Sequence, residues 1–289
     1  MNTSDILNKV RKIEIKTKGL SNHIFAGQYN TAFKGKGMTF SEVREYYPGD
    51  DVRTIDWNVT ARYNNPHVKI FEEERELTMI LMIDISKSSS FGTHIQTKKD
   101  LSTEIASILA FSAINNNDKV GIVLFTDKIE KFIPPKKGKQ HILRIIRELI
   151  TFQPDNNCTN LENALKYLND IIKNRAICFI ISDFIDNSNY EKPIRIAKKR
   201  HDLIAIKIND KLEKQIPNVG LVEIEDSESN ERMTIDTSDK RQRNHLLKNF
   251  IKNDAEIIKK LTKNGINHIS LNTGEDYVFK MLQFFKKRK

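Results

Sequence analysis

The chain has 289 residues, of which 38% are hydrophobic and 30% charged, so it can bury a sizeable core and is not an intrinsically disordered protein. No apolar run approaches the ~20 residues that a membrane-spanning helix needs, and the charged start is unlike a secretory signal, so we expect a cytoplasmic protein. The two cysteines, Cys158 and Cys178, are too few for a disulfide framework and are expected to be reduced.

The net charge of +10 raises the question of nucleic-acid binding, since basic proteins gain phosphate affinity by releasing counterions. The lysines are spread along the chain, however, and only residues 286–289 form an uninterrupted basic block. The sequence carries no zinc finger, no aromatic-rich RNA-binding signature and no convincing helix-turn-helix pattern. We therefore expect solvated helix faces, and keep nucleic-acid binding through the basic C-terminal helices as the weakest alternative.

The first 76 residues predict a helix followed by a β-rich extension. Apolar side chains recur at helical spacing within residues 5–18, which predicts a short amphipathic helix that packs on the domain after it. Glycines alternate with aromatic residues between residues 20 and 40, which is typical of loops and short strands. Residues 68–71 predict a strand that leads into the core.

Acidic and basic residues alternate around aromatic side chains between residues 42 and 76. The planar guanidinium of arginine pairs bidentately with carboxylates, so we expect these arginines to tie the neighbouring aspartates, or the glutamates at 72–74, into a fixed platform. The segment is either a structural network or a partner-binding surface, and the sequence leaves both open. What we call the charged platform consists of Arg44, Asp50, Asp51, Arg53, Asp56, Trp57 and Arg62.

From residue 77 to residue 289 the predicted elements alternate between strands and helices. Residues 77–83 are a short, continuous apolar run, typical of a strand in a parallel sheet covered on both faces. Further strands are predicted at 120–125, 128–133, 176–181, 202–208 and 267–271, helices at 98–115, 140–151, 161–172, 193–200, 239–261 and 277–287, and a hairpin insertion near 220–236. Pro134 and Pro135 should end the strand before them. This order predicts an α/β fold, a mostly parallel sheet with helices on both faces.

Polar side chains follow two of the predicted strands directly. Asp84, Ser86 and Ser88 come just after the first apolar run, Thr159 lies in a loop before a helix, and Asp183 follows a second apolar run. Because the carboxyl ends of parallel strands meet at one edge of a sheet, these groups can surround one ion. Hydroxyl and carboxylate oxygens suit Mg²⁺, with Mn²⁺ or Ca²⁺ as alternatives, rather than zinc.

This constellation resembles the metal-ion-dependent adhesion site of von Willebrand factor A-like domains. The segment before it is similar to the bacterial Domain of Unknown Function 58 family in its PGDD-x-R-x-IDW motif and the EERE that follows. The resemblance runs from about Phe33 to Asp183, and departs from many family members at Ser89, where they have Met. It implies a von Willebrand A-like fold, and it covers the DISKS motif as well as the charged segment.

The same resemblance implies a role for each site residue. Ser86, Ser88 and Thr159 would bind the ion directly, and Asp84 and Asp183 would bind it directly or through water. Family members often lie beside MoxR-type AAA+ ATPases, which implies an adaptor role with such a partner.

Neutral hydroxyl ligands leave a bound ion with much of its charge and an open position, which suits an acidic side chain from a protein partner. We therefore predict a non-enzymatic, metal-dependent protein interaction module. The alternative is a metal-dependent phosphate-ester hydrolase, which would need a base in reach of the ion. The nearest histidine in sequence, His94, is expected to be a surface residue. No phosphate-binding loop of the GxxxxGK[ST] type is present, which excludes a nucleotide motor in this chain.

Overall fold

A computed structural model describes residues 3–20, 39–72, 77–92, 96–154, 156, 158–186, 188–214, 217–225 and 232–288. The chain forms two compact units, one of residues 33–77 and one that joins residues 1–32 to residues 78–289. The predicted loops at 21–38, the glutamates at 73, 74 and 76, His94 and the turn of the predicted hairpin lie outside the described residues.

The helices and strands are numbered in chain order. The helices are α1 (Thr3–Leu20), α2 (Trp57–Tyr63), α3 (Lys98–Asn115), α4 (Lys139–Thr151), α5 (Leu161–Ile171), α6 (Glu191–Arg200), α7 (Lys211–Lys214), α8 (Lys240–Lys263) and α9 (Tyr277–Lys287). The strands are β1 (Thr39–Glu45), β2 (His67–Glu72), β3 (Thr78–Asp84), β4 (Lys119–Phe125), β5 (Ile129–Lys136), β6 (Ile177–Ser182), β7 (Asp202–Asn209), β8 (Leu221–Glu225), β9 (Arg232–Asp236) and β10 (Asn267–Asn272).

A six-stranded sheet forms the centre of the larger unit, with the order β10-β7-β6-β3-β4-β5. All neighbouring strands run parallel except β5, which is antiparallel to β4 at one edge. The first strand of the unit, β3, therefore lies in the middle, between β4 and β6. The α/β prediction of a mostly parallel sheet with helices on both faces is confirmed.

The two faces of the sheet are covered by different helices. On one face Ile80 and Met82 of β3 belong to a buried cluster with Leu165 of α5, Ile194 of α6 and Leu261 of α8. The opposite face is covered by α3, which contacts β3, β4 and β7. Burial on both faces explains why β3 and β6 are continuous apolar runs without alternation.

Helix α3 is buried on nearly every side. Helices α1 and α4 pack against it. Three serine hydroxyls buried in this helix each donate to the backbone carbonyl four residues earlier, namely those of Ser102, Ser107 and Ser112. Polar residues on a helix can thus lie inside the fold, because their hydroxyls need no outside partner.

Helix α1 groups with the sheet unit, whereas the predicted division at residue 76 placed it with the extension. Val10 and Thr17 are buried, and α1 contacts α3 and α4. Lys16 forms an ion pair with Glu104 of α3 at 2.7 Å. The apolar side of the amphipathic helix therefore packs on the sheet unit.

Strand β5 does not end before Pro134 and Pro135, as the sequence predicted, but continues through them to Lys136. Proline removes a backbone donor, and an edge strand has one side on which no donor is needed. The backbones approach closely there: a Cβ on Gly121 of β4 would lie 3.0 Å from the nitrogen of Pro135 and 3.1 Å from the carbonyl oxygen of Ile133. A side chain at residue 121 would therefore be crowded against the backbone of β5.

The smaller unit contains an antiparallel pair, β1 and β2, and the short helix α2 between them. The sequence predicted the second strand but not α2. Seven residues hold too few turns for an apolar stripe, yet Asp56 is a cap signal that could have indicated the helix start.

The predicted hairpin is present in the larger unit as β8 and β9, which pair from Leu221 with Asp236 to Glu225 with Arg232. Among the described residues, no helix has the length and apolar content to cross a membrane.

Candidate functional site

The carboxyl ends of β3 and β6 lie side by side, because Ile83 pairs with Ile181 in parallel register. Asp84 therefore lies beside Ser182, whose hydroxyl donates to Oδ2 of Asp84 at 2.7 Å. The hydroxyl of Thr159 donates to the same oxygen at 3.4 Å. Three segments that are distant in sequence thus meet at one carboxylate, which is only 4% exposed.

The loop after β3 places its two serines together. The backbone N–H of Ser86 donates to Oδ1 of Asp84 at 3.0 Å, and the hydroxyls of Ser86 and Ser88 are 3.0 Å apart. A single 3-10 turn, Lys87–Ser90, follows. The Ser89 hydroxyl donates to the carbonyl of Ser86 at 2.7 Å, so this residue stabilises the turn.

Asp183 lies at the end of β6 in a tightly constrained turn. Its Oδ1 accepts the N–H of Ile185 at 3.2 Å, and the N–H of Phe184 donates to the hydroxyl of Ser182 at 2.9 Å. Phe184 is buried and has a φ of 59°, an unfavourable backbone conformation for a bulky residue. Such strain persists only where the surroundings enforce it, and it is common at functional sites.

The loop that carries Thr159 is fixed from two sides. The N–H of Asn160 donates to the carbonyl of Thr126 at 3.0 Å, beyond the end of β4. The N–H of Leu161, the first residue of α5, donates to Oδ2 of Asp186 at 2.6 Å. Asp186 follows β6, so this carboxylate joins the Thr159 loop to the Asp183 loop.

Asp84 and Asp183 create a strongly acidic edge. Burial raises the pKa of Asp84 to about 6, and the nearby charge of Asp183 adds to the effect. Within the described residues no basic side chain forms an ion pair with Asp84, whereas the ammonium of Lys98 lies 3.2 Å from Oδ2 of Asp183. Asp84 is therefore a buried carboxylate stabilised by hydroxyl and backbone donors.

Lys98 and Glu213 complete this edge. The Lys98 ammonium also bonds to Oε1 of Glu213, at 2.5 Å. Burial would lower the pKa of Lys98, but the carboxylates of Asp183 and Glu213 outweigh burial and raise it. The lysine is therefore a buried cation held between two carboxylates.

A cavity of about 10 Å³, the room of a single water molecule or ion, lies at this edge. Its lining includes Asp84, Ser88, Lys98, Ser182 and Asp183. Among the described residues no three His, Cys, Asp or Glu side chains gather into a metal-binding group. The donors are two carboxylates and several hydroxyls, and this hard oxygen set fits Mg²⁺ better than zinc.

All five residues predicted as metal ligands lie at this edge. The four residues Asp84, Ser86, Ser88 and Thr159 are connected by hydrogen bonds, and Asp183 lines the same cavity as Asp84 and Ser88. The strand-end site, as we call it, consists of Asp84, Ser86, Ser88, Thr159 and Asp183.

Sequence reasoning missed three residues that shape the strand-end site, namely Lys98, Asp186 and Glu213. Ser182 was recognised beside Asp183 at the end of an apolar run but was not assigned a role. Lys98 is the first residue of a predicted helix, and Glu213 lies in a helix of four residues. Neither position indicates a buried ion pair.

Within the charged platform, Arg44 and Asp50 form the bidentate pair that the sequence predicted. Nη1 of Arg44 is 2.9 Å from Oδ2 of Asp50, and Nη2 is 2.8 Å from Oδ1. The Arg44 hydrogen bonds hold the pKa of Asp50 below its ordinary value, and the N–H of Tyr47 contributes. This pair fixes the turn after β1.

The other aspartates of the charged platform act mainly as caps. Asp51 accepts the N–H of Arg53 at 3.0 Å, and Asp56 caps the start of α2 and forms an ion pair with Lys69 at 3.3 Å. Among the described residues, the guanidinium groups of Arg53 and Arg62 have no carboxylate partner. Two of the partners predicted for them, Glu73 and Glu74, lie outside the described residues, so this part of the network stays a prediction.

Trp57, the only tryptophan of the chain, is 70% exposed at the start of α2. Tyr63, at the other end of the same helix, is exposed to the same extent. Most of the surface of both side chains is therefore open to solvent. They are the residue types that dominate binding at protein interfaces.

Residues 42–256 match a family model described as "Protein of unknown function DUF58". An uncharacterized protein of Mycobacterium tuberculosis is 29% identical over 284 residues, which cover 97% of this chain and 89% of the relative.

Two of the solved structures to which the chain is similar are the following. The hypothetical protein BatB from Bacteroides thetaiotaomicron is 12% identical, with a TM-score of 0.46 and coverage of 73% of this chain and 98% of the other. A von Willebrand factor type A protein from Catenulispora acidiphila is 14% identical, with a TM-score of 0.36 and coverage of 65% and 43%.

Proposed function

The chain belongs to the DUF58 family, and from this premise we propose that it is a non-enzymatic protein interaction module that binds its partner through a divalent ion at the strand-end site. The observation that carries the proposal is Asp84, a buried carboxylate with hydroxyl neighbours and no basic partner among the described residues. Burying an unpaired charge is costly, and a bound cation removes that cost.

Ser86, Ser88 and Thr159 would hold the ion directly, and Asp84 and Asp183 would hold it directly or through water. Mg²⁺ is the expected ion, and it keeps a coordination position for an oxygen from outside the chain. The chain's own groups prepare that position: Ser182 orients the Asp84 carboxylate, and Asp186 fixes the loop that carries Thr159. A carboxylate from the partner fits the open position best.

The family resemblance suggests a MoxR-type AAA+ ATPase as the partner, with this chain as its adaptor in complex assembly or maturation. The charged platform is a second contact surface in this proposal. Support comes from the exposed ring of Trp57 and from Arg53 and Arg62, whose guanidinium groups have no carboxylate partner among the described residues. Exposed Trp, Tyr and Arg side chains are typical anchors of protein interfaces.

A metal-dependent phosphate-ester hydrolase is the second candidate. One observation favours it: the pKa of Asp84 is about 6, in the range that suits a general base near neutral pH. Metal-dependent turnover of a generic phosphate ester, lost in Asp84→Ala, would favour this candidate. If the chain shows no turnover with Mg²⁺ or Mn²⁺, the hydrolase is excluded and the interaction module remains.

The experiment uses the purified chain and the purified MoxR-type ATPase encoded by the same genome. We expect the two to co-elute in Mg²⁺ but not in EDTA, and not with Asp84→Ala or Ser86→Ala. Ser112→Ala is the matched control, because Ser112 is a buried serine of α3 whose hydroxyl, among the described residues, donates only to the carbonyl of Ile108. Equal co-elution in EDTA would overturn the proposal.

A further inference from the structure

We propose that Lys98 is a built-in cation that competes with the divalent ion for Asp183, and that Glu213 keeps the displaced ammonium paired when the ion binds. This inference rests on the proposed function, and it explains what sets the affinity of the strand-end site for the divalent ion. Nothing in the predicted ligand pattern includes either Lys98 or Glu213.

The start of α3 directs Lys98 into the site. Thr97 caps the helix, and Thr97 and Asp100 form a reciprocal capping box that fixes its first turn. The N–H of Lys98 donates to the carbonyl of Phe91 at 3.0 Å, which anchors the backbone from the other side. Lys98 is 3% exposed and lines the same cavity as Asp84 and Asp183.

The ammonium of Lys98 lies between two carboxylates of different exposure. It is 3.2 Å from Oδ2 of Asp183, whose side chain is 4% exposed, and it also pairs with Glu213, whose side chain is 18% exposed. A buried ammonium must stay paired to avoid a large desolvation cost. Glu213 alone can meet that need, which leaves Asp183 available to another cation.

Glu213 is held in place independently of Lys98. Its Oε2 accepts the N–H of Asp210 at 2.9 Å, and Asp210 in turn accepts the N–H of Leu212 at 2.8 Å. The hydroxyl of Thr273 after β10 also donates to Asp210. Glu213 is therefore a fixed acceptor, ready to receive the ammonium at either stage.

The charges of the cluster match a divalent ion. Asp183 and Glu213 pair with the Lys98 ammonium, and Asp84 lines the same cavity as Asp183, so three carboxylates and one ammonium leave a formal charge of −2. A divalent cation would neutralise this net charge of −2. It must, however, share Asp183 with the Lys98 ammonium, which also carries a positive charge. Like charges a few ångströms apart repel, so Lys98 weakens ion binding while it stabilises the ion-free site.

The test measures binding of Mg²⁺ and Mn²⁺ to the purified full chain by titration calorimetry, with folding checked by circular dichroism. Lys98→Met keeps the apolar stem without the charge, and we expect it to bind the ion about tenfold or more tightly than wild type. Glu213→Gln leaves the ammonium with Asp183 alone, and we expect about tenfold weaker binding. Lys131→Met is the control, because Lys131 of the edge strand β5 pairs with Glu148 of α4, and we expect no change.

The outcomes separate this inference from the proposed function. If wild type binds the ion and Lys98→Met binds it equally or more weakly, the inference is overturned and the metal-dependent module stands. If no variant binds either ion, both fail. If Lys98→Met does not fold, Glu213→Gln decides: weaker binding supports the competition, and unchanged or tighter binding overturns it.

Discussion

The hydroxyl of Ser182 donates to the carboxylate of Asp84 across 2.7 Å, although the two residues are 98 positions apart. The same hydroxyl accepts the N–H of Phe184 at 2.9 Å. One side chain thereby connects the ends of β3 and β6 and supports the strained backbone at Phe184. This contact places the two carboxylates of the strand-end site at one edge.

We predict that Ser182→Ala lowers the free energy of unfolding by about 1–3 kcal/mol, because a buried carboxylate loses a donor and a buried N–H loses its acceptor. Urea denaturation in EDTA measures the change. The control Ser112→Ala leaves only a local helix carbonyl with one bond fewer, and should cost less. Equal losses in the two variants would mean that the Asp84 contact adds no stability.

The raised pKa of Asp84 predicts a pH dependence with a defined sign. Its ordinary value is 3.8 and its value in the folded chain is about 6, so the folded state binds more protons than the unfolded state between these pH values. Stability from this group is therefore present below about pH 4 and is lost as pH rises to 6.

The Asp84→Asn variant should not lose this stability between pH 4 and 6, because an asparagine side chain does not ionise. In EDTA, the melting temperature of Asp84→Asn minus that of wild type should increase as pH rises from 4 to 6. A difference that stays constant over this range would show that the buried carboxylate is not the source.

For His201 we predict a stability that changes with pH in the opposite direction. Burial, aided by the charge of Arg200, lowers its pKa to about 4, and its Nδ1 accepts the N–H of Ala176 at 3.3 Å. The unfolded state binds more protons between about pH 4 and 6.5, so stability from this group is present above pH 6.5 and is lost as pH falls. His201→Gln cannot gain this proton, and its melting temperature relative to wild type should rise on acidification. A flat difference would exclude His201 as a source of acid sensitivity.

Asp186 should act on the strand-end site through the Thr159 loop. Asp186→Ala removes the acceptor of the Leu161 N–H, so we predict faster amide hydrogen exchange at Leu161 and several-fold weaker Mg²⁺ binding. Asp170→Ala, at an exposed position of the same helix α5, is the control. If exchange at Leu161 is the same in both variants, Asp186 does not position the loop.

A substitution at Trp57 should affect partner binding without affecting the stability of the fold. Its ring is 70% exposed, so Trp57→Ala should change the free energy of unfolding by less than about 0.5 kcal/mol. If the charged platform contacts the partner, the same variant should weaken binding to the MoxR-type ATPase at least about tenfold. Phe279→Ala removes another exposed aromatic ring, 57% exposed on α9, and serves as the control. Equal affinities in the two variants would remove the platform from the interface.

The core strands and long helices were predictable because burial imposes a simple pattern on them. Strands such as β3, covered on both faces, are continuous apolar runs, and the polar residues after them mark the sheet edge. The path of β5 through Pro134 and Pro135 was not predictable, because it depends on an edge position and on Gly121 opposite. Local sequence does not reveal where in a sheet a strand will lie.

The strand-end site was predictable in its hydroxyl and carboxylate residues, since their position after strands is a local signal. Lys98 and Glu213 were not, because their ion pair joins the start of α3 to a short helix 115 residues away. A charged residue at a helix start is usually solvated. Only the packing of α3 against the sheet edge buries this one.

Whether the strand-end site holds a divalent ion is tested most directly by thermal unfolding of wild type and Asp84→Ala over a Mg²⁺ titration. An ion that binds only the folded state stabilises it by about 2.7 kcal/mol at a concentration of 100 Kd. We predict a melting temperature that rises with Mg²⁺ in wild type and stays flat in Asp84→Ala. A wild-type melting temperature that does not respond to millimolar Mg²⁺, or that rises equally in Asp84→Ala, would contradict the account.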